Sequence, residues 1–525
     1  MSRRPAIEVT VDQLRVNNEA IEALAAREGI YQKDGALVRV VREPEDAPKW
    51  VTRRRGAPVI HQLPGPTLSE ELSAAARFYR VEQDDKEREE LPCLPPDWCV
   101  KGLLERHSYS KVRHLRAVVE APILREDGSI LCRPGYDQAT GVLYEPRQSF
   151  PAVPDSPMWE QVQAARDALL DLAVDFPFAK ECHRAAWLAG LLTPFARFAY
   201  EGYTPFFLVD ATTAGSGKGT LVDVVSVLVS GGEATRMSHS PSREEEEKRV
   251  ASMLLTGDLL ICVDNISKPF GSDIFDMLIT GKTFSPQLLG TNTMLRLTNS
   301  SIWWGNGNNV KIKEGADTTR RTLHMRLEPK EEAPDLRENF KHPNLIEHVL
   351  RNRPQLVAAA LTILRGYMLV RETEGLRLRA WKSFEEWGQI VRGAVVYVGM
   401  PDPYEAHDLF RRSSDPVAFA LEEVMHGWLA LCGELNEEAV TLNDAVEAMA
   451  EDLEYKRRTP GHRARSARLL SVLCEMLRLG AHQVPSVRDL QYLFRTYRGR
   501  IVSGMRLDAC SKDRVKGLRW KVVSG

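Results

Sequence analysis

The segment FFLVDATTAGSGKGTLVDVVSVL, residues 206–228, restricts the fold of this chain more than any other. Phe206–Val209 is a short apolar run rich in β-formers, long enough for one buried strand. Residues 210–217 break that pattern with small side chains, and Leu221–Leu228 resumes as an apolar stretch able to start a helix. Strand, glycine-containing turn and helix is the setting of a phosphate loop. Gly215 and Gly217 let backbone N–H groups approach phosphate oxygens, and the helix N-terminus adds partial positive charge. Lys218 would set its ammonium on the β- and γ-phosphates. The nucleotide-binding set expected from the loop is Thr213, Ala214, Gly215, Ser216, Gly217, Lys218, Gly219 and Thr220.

The loop departs twice from the G-x-x-x-x-G-K-[ST] pattern. Thr212 stands where the first glycine falls, and Gly219 stands where a metal-ligating hydroxyl follows the lysine. Thr220, one step later, is the first candidate for the metal role, with Ser216 or a water as alternatives.

A phosphate loop serves small kinases and large motors alike, so its companions decide. A motor needs a strand-end acid for Mg²⁺, a polar group reading the γ-phosphate and, commonly, an arginine from a neighbour. In GDLLICVDNIS, apolar Leu259–Val263 leads into Asp264, positioned to hold the metal or its waters. The following residue is Asn265 where a second acid is usual, so one of Glu244–Glu247 or another group must supply the general base. In SSIWWGNGNNV an apolar strand ends at Asn306, Asn308 and Asn309, with Asn308 or Asn309 as the γ-phosphate sensor. DTTRRTLHMRLEP sets Arg320 and Arg321 just before an alternating strand, as finger candidates.

At 525 residues the chain has room for about three or four domains. Its eight cysteines are scattered, several within apolar runs, and none has zinc-finger spacing, which reads as reduced buried thiols. The start MSRRPAIEVTVDQL lacks an apolar signal core and no run of 18 apolar residues occurs, so a cytoplasmic protein with no membrane contact is expected. Residues 1–157 read as an α+β region, with Asp127-Gly128 as a hairpin signal. Residues 158–335 alternate short apolar runs with helical stretches as an α/β nucleotide-binding core requires, and 336–415 return to helix.

Residues 416–525 are helical with a basic β-like end. From Lys456 to Gly525 there are 17 Lys and Arg against 4 Asp and Glu, about +13, although the whole chain carries only −2. Two helices followed by GRIVSGMRL and GLRWKVV resemble a winged helix. Arg463, Arg465, Arg495, Arg498, Arg500, Lys516 and Arg519, with Tyr497 and Trp520 between them, could neutralise phosphates and stack on bases with little sequence preference. Tyr492, Phe494 and Trp520 themselves read more readily as core.

The order GSGKGT, LLICVDNIS, LLGTNTMLRLTNSSIWWGNGNNV, DTTRRTLHMRLEP resembles the AAA+ and superfamily 3-type helicase modules of phages, plasmids and other mobile elements. EAPILREDGSILCRPGYDQATGVLYEP is similar to that family's lead-in segment and SFEEWGQIVRGAVVYVGMPDP to the segment after its ATPase core, so the likeness spans about residues 95–410. The resemblance implies an α/β P-loop AAA+ core, with an N-terminal α+β domain as collar or docking module and a C-terminal winged-helix-like domain. It implies ATP and Mg²⁺ as cofactors and a homo-oligomeric ring, a hexamer, that translocates on single-stranded DNA and unwinds forked DNA beside a separate primase or initiator. By position, Lys218, Asp264, Asn265, Asn308, Arg320 and Arg321 form the catalytic set and Thr220 with Asp264 the metal set. Residues 290–300 occupy the place of a channel-facing hairpin, with Lys282 and Arg296 as its nearest basic residues. Two other readings stand: an AAA+ initiator, remodelling or defence ATPase that binds DNA without unwinding it, and, resting on GSGKGT alone, a nucleoside monophosphate kinase.

Overall fold

The computed structural model describes residues 4–524 apart from 43–50, 53, 55, 85–86, 241, 287–295, 314–316, 332, 374–375, 459–465, 481–482 and 514–516. The chain divides into two compact units, 1–408 and 409–525. Among the described residues no helix is long and apolar enough to cross a membrane.

Five strands form the centre of the first unit: β1 (Phe206–Ala211), β2 (Thr235–Ser238), β3 (Leu260–Ile266), β4 (Ile302–Asn308) and β5 (Thr322–Leu327). They are all parallel, in the order β5–β1–β4–β3–β2, and Val51–Thr52 adds antiparallel to β2 at the edge. Parallel strands need helical crossovers that cover both faces, so their sequences read as unbroken apolar runs. All six residues of β1 are buried. The crossovers include α1 (Lys218–Ser230), α2 (Arg243–Thr256) and α3 (Asp273–Ile279). This sheet is compatible with a P-loop ATPase core, and its nucleotide site is expected outside the carboxyl ends of the strands, where the order reverses beside β1.

Aromatic packing fixes the sheet against the preceding helix, Glu181–Ala196. Phe207 stacks on Trp304 at 4.9 Å, and Gly190 admits Trp304 so closely that a Cβ would meet its ring at 2.5 Å. The long helix Leu345–Val370 packs against both α1 and the helix Trp159–Asp171.

Ahead of the core, helices Gln13–Ala25, Gly65–Ala75 and Asp97–Leu104 share one hydrophobic cluster with Ile7 and Phe78 of a small sheet. The Asp127-Gly128 turn closes a short hairpin, Ile123–Leu124 against Ile130–Leu131, with Gly128 at φ 79°.

The second unit holds helices Pro416–Glu434, Leu442–Arg458, Ala467–Leu477 and Val487–Thr496, and an antiparallel sheet ordered Val440–Thr441, Gly517–Ser524, Met505–Asp513. Trp428, Phe494 and Trp520 fill its centre, with Trp428 Nε1 donating to Trp520 O at 3.1 Å. Phe494 and Trp520 are thus core, as expected, whereas Tyr492 is 73% exposed.

Candidate active site

β1 ends at Ala211 and α1 begins at Lys218, leaving Thr212–Gly217 to turn the chain. Gly215 and Gly217 both lie in the left-handed region, at φ 72° and 79°. A Cβ on Gly217 would meet Phe176 Cε1 at 2.6 Å, and one on Gly215 would meet Asp335 Cβ at 2.9 Å. Both backbone conformation and close approach therefore demand glycine. Ser216 is buried and its Oγ donates to Thr213 O at 2.7 Å, bracing the turn from inside.

The lysine is already aimed. Lys218 Nζ donates to Asn308 Oδ1 at 2.7 Å and to Thr213 O at 3.2 Å. Burial pulls its pKa below the ordinary lysine value, with Asp210 opposing that pull. An ammonium partly stripped of water beside two neutral oxygens lacks a full counter-charge, and a phosphate oxygen would supply one.

The two asparagines at the tip of β4 have separate tasks. Asn308 lies beside Ala211 in register and holds the lysine. Asn309, at φ 47°, turns back: its Nδ2 donates to Thr212 O at 3.1 Å and its N–H to Ala211 O at 3.0 Å. Its Oδ1 accepts from Arg326 Nη2 at 2.8 Å, and Arg326 Nη1 donates to Asp210 Oδ2 at 2.5 Å. Burial alone would raise the Asp210 carboxyl, but His324, the Val310 N–H and Arg326 hold it below the usual range. One buried carboxylate thus fastens β5 and the residues after β4 to the strand carrying the loop. Sequence reasoning missed Asp210 and Arg326. The alternation in TLHMRL makes Arg326 look like any outward-facing residue, although a charge inside the run FFLVDA is a legible oddity.

Asp264 lies within β3, which runs on to Ile266 past a bulge after Val263. Its Oδ1 accepts from Asn306 Nδ2 at 2.8 Å, and Asn306 Oδ1 accepts the Asn265 N–H at 3.0 Å. The Asp264 side chain remains 43% exposed. Asn265 is exposed at φ 53°, a conformation asparagine tolerates better than glutamate, which gives a physical reason for its identity. Of the acids considered as base, Glu246 is buried against Ser272 Oγ with its pKa raised by burial, and Glu245 pairs with Arg249. Glu247 borders an open cleft with Asp276 and Arg321.

Arg236 of β2 was not anticipated. Its Nη2 lies 2.6 Å from both Asp223 oxygens, its Nη1 3.5 Å from Asp264 Oδ1, and a Cβ on Gly219 would sit 3.7 Å from the guanidinium. Where a metal-ligating hydroxyl is usual, this chain has Gly219 with an arginine against it. Thr220 lines a cavity of about 330 Å³ together with Gly215, Ser216, Gly217, Phe176, Phe340 and His342. The contacts therefore gather Gly219, Asp264, Asp223 and Arg236, with Thr220 in the wall of that cavity. The cavity's apolar walls suit a nucleoside beside the loop.

The donor set fits a nucleoside triphosphate: a glycine turn at a helix N-terminus and a waiting ammonium. It also fits Mg²⁺ carried by the nucleotide, since one half-exposed carboxylate suffices for an ion that keeps most of its waters. Among the described residues no group of three His, Cys, Asp or Glu side chains forms a self-sufficient metal cage.

Arg320 and Arg321 end a short 3₁₀ turn, Asp317–Arg321, and differ sharply. The Arg321 side chain is 12% exposed and its Nη1 lies 3.0 Å from Asp276 Oδ1. Asp276 also accepts from Thr318 Oγ1 and the Asp317 N–H, so Arg321 belongs to a local fastening. The Arg320 side chain is 60% exposed, paired only with Asp317 among the described residues.

Residues 287–295 lie outside the described residues, so most of the expected channel hairpin does too. Its stem is described: Thr283–Phe284 pairs antiparallel with Leu297–Thr298, and Lys282 and Arg296 flank it exposed. In the second unit Arg463, Arg465 and Lys516 fall outside the described residues. Arg498, Arg500 and Arg519 are engaged with Asp508 at 3.0 Å, Asp415 at 2.9 Å and Glu437 at 2.5 Å.

No family model matches the sequence, and no curated protein matches it. Among solved structures, the apo NrS-1 C-terminal region in its A form aligns at 12% identity over 85% of this chain and 94% of that one, with a TM-score of 0.38. A structure described as the active helicase Cch of SCCmec type IV aligns at 11% identity over 78% and 82%, with a TM-score of 0.29. JCV helicase, bound to a small molecule, aligns at 12% identity over 50% and 71%, with a TM-score of 0.22. Scores of this size do not establish a common fold; strand order and loop geometry carry the assignment.

Proposed function

We propose that this chain is an ATP hydrolase coupled to DNA, an ATP-dependent helicase or translocase working as an oligomeric ring in replication of a phage, plasmid or other mobile element. The observation that carries the reading is the Lys218–Asn308 contact of 2.7 Å at the carboxyl ends of adjacent parallel strands β1 and β4. A small kinase has no need of an asparagine from a second strand on its loop lysine, whereas a hydrolase that must sense the γ-phosphate does.

In this reading Lys218 exchanges its two neutral acceptors for phosphate oxygens when ATP enters. That exchange frees the Asn308 amide to orient the attacking water. Asp264 would hold the waters of a nucleotide-borne Mg²⁺, which would supply charge neutralisation for the transferring group. Arg236 and Asn306 fix the Asp264 carboxylate in position. Arg320, exposed where Arg321 is tied down, is the finger offered to a neighbouring copy's nucleotide. Thr220 serves as the loop hydroxyl beside the nucleoside.

One observation favours the second reading, a DNA-bound switch or remodelling ATPase. Asn265 replaces the water-activating acid in a backbone conformation that disfavours glutamate, which suits slow turnover. Strand displacement on forked DNA separates the two. The helicase reading requires ATP-dependent unwinding that Lys218→Ala abolishes; DNA binding and hydrolysis without unwinding would establish the switch instead.

A further inference from the structure

The helix Val487–Thr496 is held by one face and bare on the other. Leu490, Leu493 and Phe494 are buried, and Phe494 packs edge-on to Trp428 at 4.6 Å and Trp520 at 5.3 Å. This aromatic trio fixes the helix's rotation about its axis. Arg488, Tyr492 and Arg495, spaced i, i+4 and i+7, then fall on the exposed side as one stripe. Tyr492, at 73% exposure, is the most exposed aromatic side chain among the described residues. Neither arginine makes an ion pair with a described residue, whereas Arg498, Arg500 and Arg519 all do. Arg488 has Asp489 beside it, whose carboxyl is held low by Ser486 together with that arginine, and Arg495 faces solvent. The stripe therefore offers two guanidinium forks flanking an exposed ring, a surface suited to an anionic partner with flat apolar edges.

We infer that this stripe reads the major groove of duplex DNA, and that the C-terminal unit is a double-strand recognition module. The charge matches: residues 486–524 carry ten Lys and Arg against three Asp and Glu. The shape matches as well. A ten-residue helix is about 15 Å long and, with its side chains, about as wide as the major groove. The helix precedes a two-stranded hairpin, Met505–Asp513 with Gly517–Ser524, on which Arg506 and Lys521 remain partly exposed to meet the backbone. Arginines on such a face present forked donors to guanine edges, and the tyrosine ring offers apolar contact to a thymine methyl. The paired cations off the helix contribute less, because binding DNA would first require breaking their ion pairs. This departs from a diffuse, sequence-blind basic tail: discrimination would reside in three named side chains.

The test uses the full chain and two labelled probes of equal length, a duplex carrying the motif that the wild type enriches from randomised duplexes and one of its single strands, with anisotropy read at fixed salt. Arg488→Ala with Arg495→Ala should weaken duplex binding by on the order of a hundredfold, about tenfold per arginine. Tyr492→Ala should weaken it severalfold, and both should leave single-strand affinity within about twofold. Selection from randomised duplexes should enrich a short motif with the wild type and none with the double arginine variant, while Tyr492→Ala should lose only the preference for one thymine. Lys218→Ala should bind duplex like the wild type, so failure of the ATPase reading is distinguishable from failure here. Unchanged duplex binding by the helix variants overturns the inference, and so does a parallel loss on single strands. Loss of self-association in sedimentation would show the stripe to be a contact between copies, which also overturns it. A photoreactive phenylalanine analogue at 492 gives an independent answer: crosslinks to duplex under single-strand competition support the inference, and crosslinks to single strands alone refute it.

Discussion

Replacing Arg326 by methionine tests how the loop is held. Arg326 donates to the buried Asp210 carboxylate at 2.5 Å and to Asn309 at 2.8 Å. Asp210 is 5% exposed and Arg326 20% exposed in their side chains, so little water is available to replace the cation. Removing one partner of a buried pair costs about 3–5 kcal/mol. Partial exposure of the arginine, together with the His324 and Val310 donors that remain, reduces this to about 2–4 kcal/mol. Amide hydrogen exchange of peptides spanning residues 206–217 reads the loss locally, without assuming that a chain of two units unfolds in one step. At about 1.4 kcal/mol per factor of ten, protection of β1 should fall roughly 30- to 700-fold. Adding Asp210→Asn should restore much of it, since the uncompensated charge is then gone. Protection within about threefold of wild type in Arg326→Met, or a double variant worse than the sum of the singles, would refute the argument.

Four further outcomes follow from the structure. Arg320→Ala should cut ATPase turnover at unchanged nucleotide affinity and unchanged melting, and mixing it with Lys218→Ala should restore some hydrolysis. Arg321→Ala should instead lower stability by about 2–3 kcal/mol, because Asp276 loses its buried cation. Gly217→Ala, at φ 79° and 2.6 Å from Phe176, should abolish nucleotide binding measured by calorimetry while the fold persists by circular dichroism. Burial holds His183 neutral with its pKa pushed down to about 4. Its folded value lies below its unfolded value near 6.5, so the stability it contributes is present above pH 6.5 and lost as pH falls toward 4, on the order of 3 kcal/mol. His183→Asn should flatten that part of the stability–pH curve; a slope matching the wild type would show that other groups set it.

The sequence reveals those parts of the site that are local. GSGKGT marks the turn because its glycines and lysine act through nearby backbone, and LLICVDNIS marks a strand because five apolar residues, four of them buried, precede a charge. Long-range pairing is not written in any window: that Asn308 meets Lys218 follows from β4 lying beside β1, although some 90 residues separate them. Arg236 and Arg326 were invisible for the same reason, each acquiring meaning only from a carboxylate on another element, Asp223 of α1 and Asp210 of β1. The tail shows a second limit. Periodicity alone could place Tyr492 on either side of its helix, and the Trp428, Phe494 and Trp520 packing settles it outward.

Imaging the purified protein with a non-hydrolysable ATP analogue, Mg²⁺ and forked DNA tests the central proposal most directly. The account predicts a closed ring, with the analogue's phosphates in the Thr212–Lys218 turn and the neighbouring copy's Arg320 reaching toward the terminal phosphate. Particles that remain single with all three ligands present, or phosphates bound away from Lys218, would contradict it.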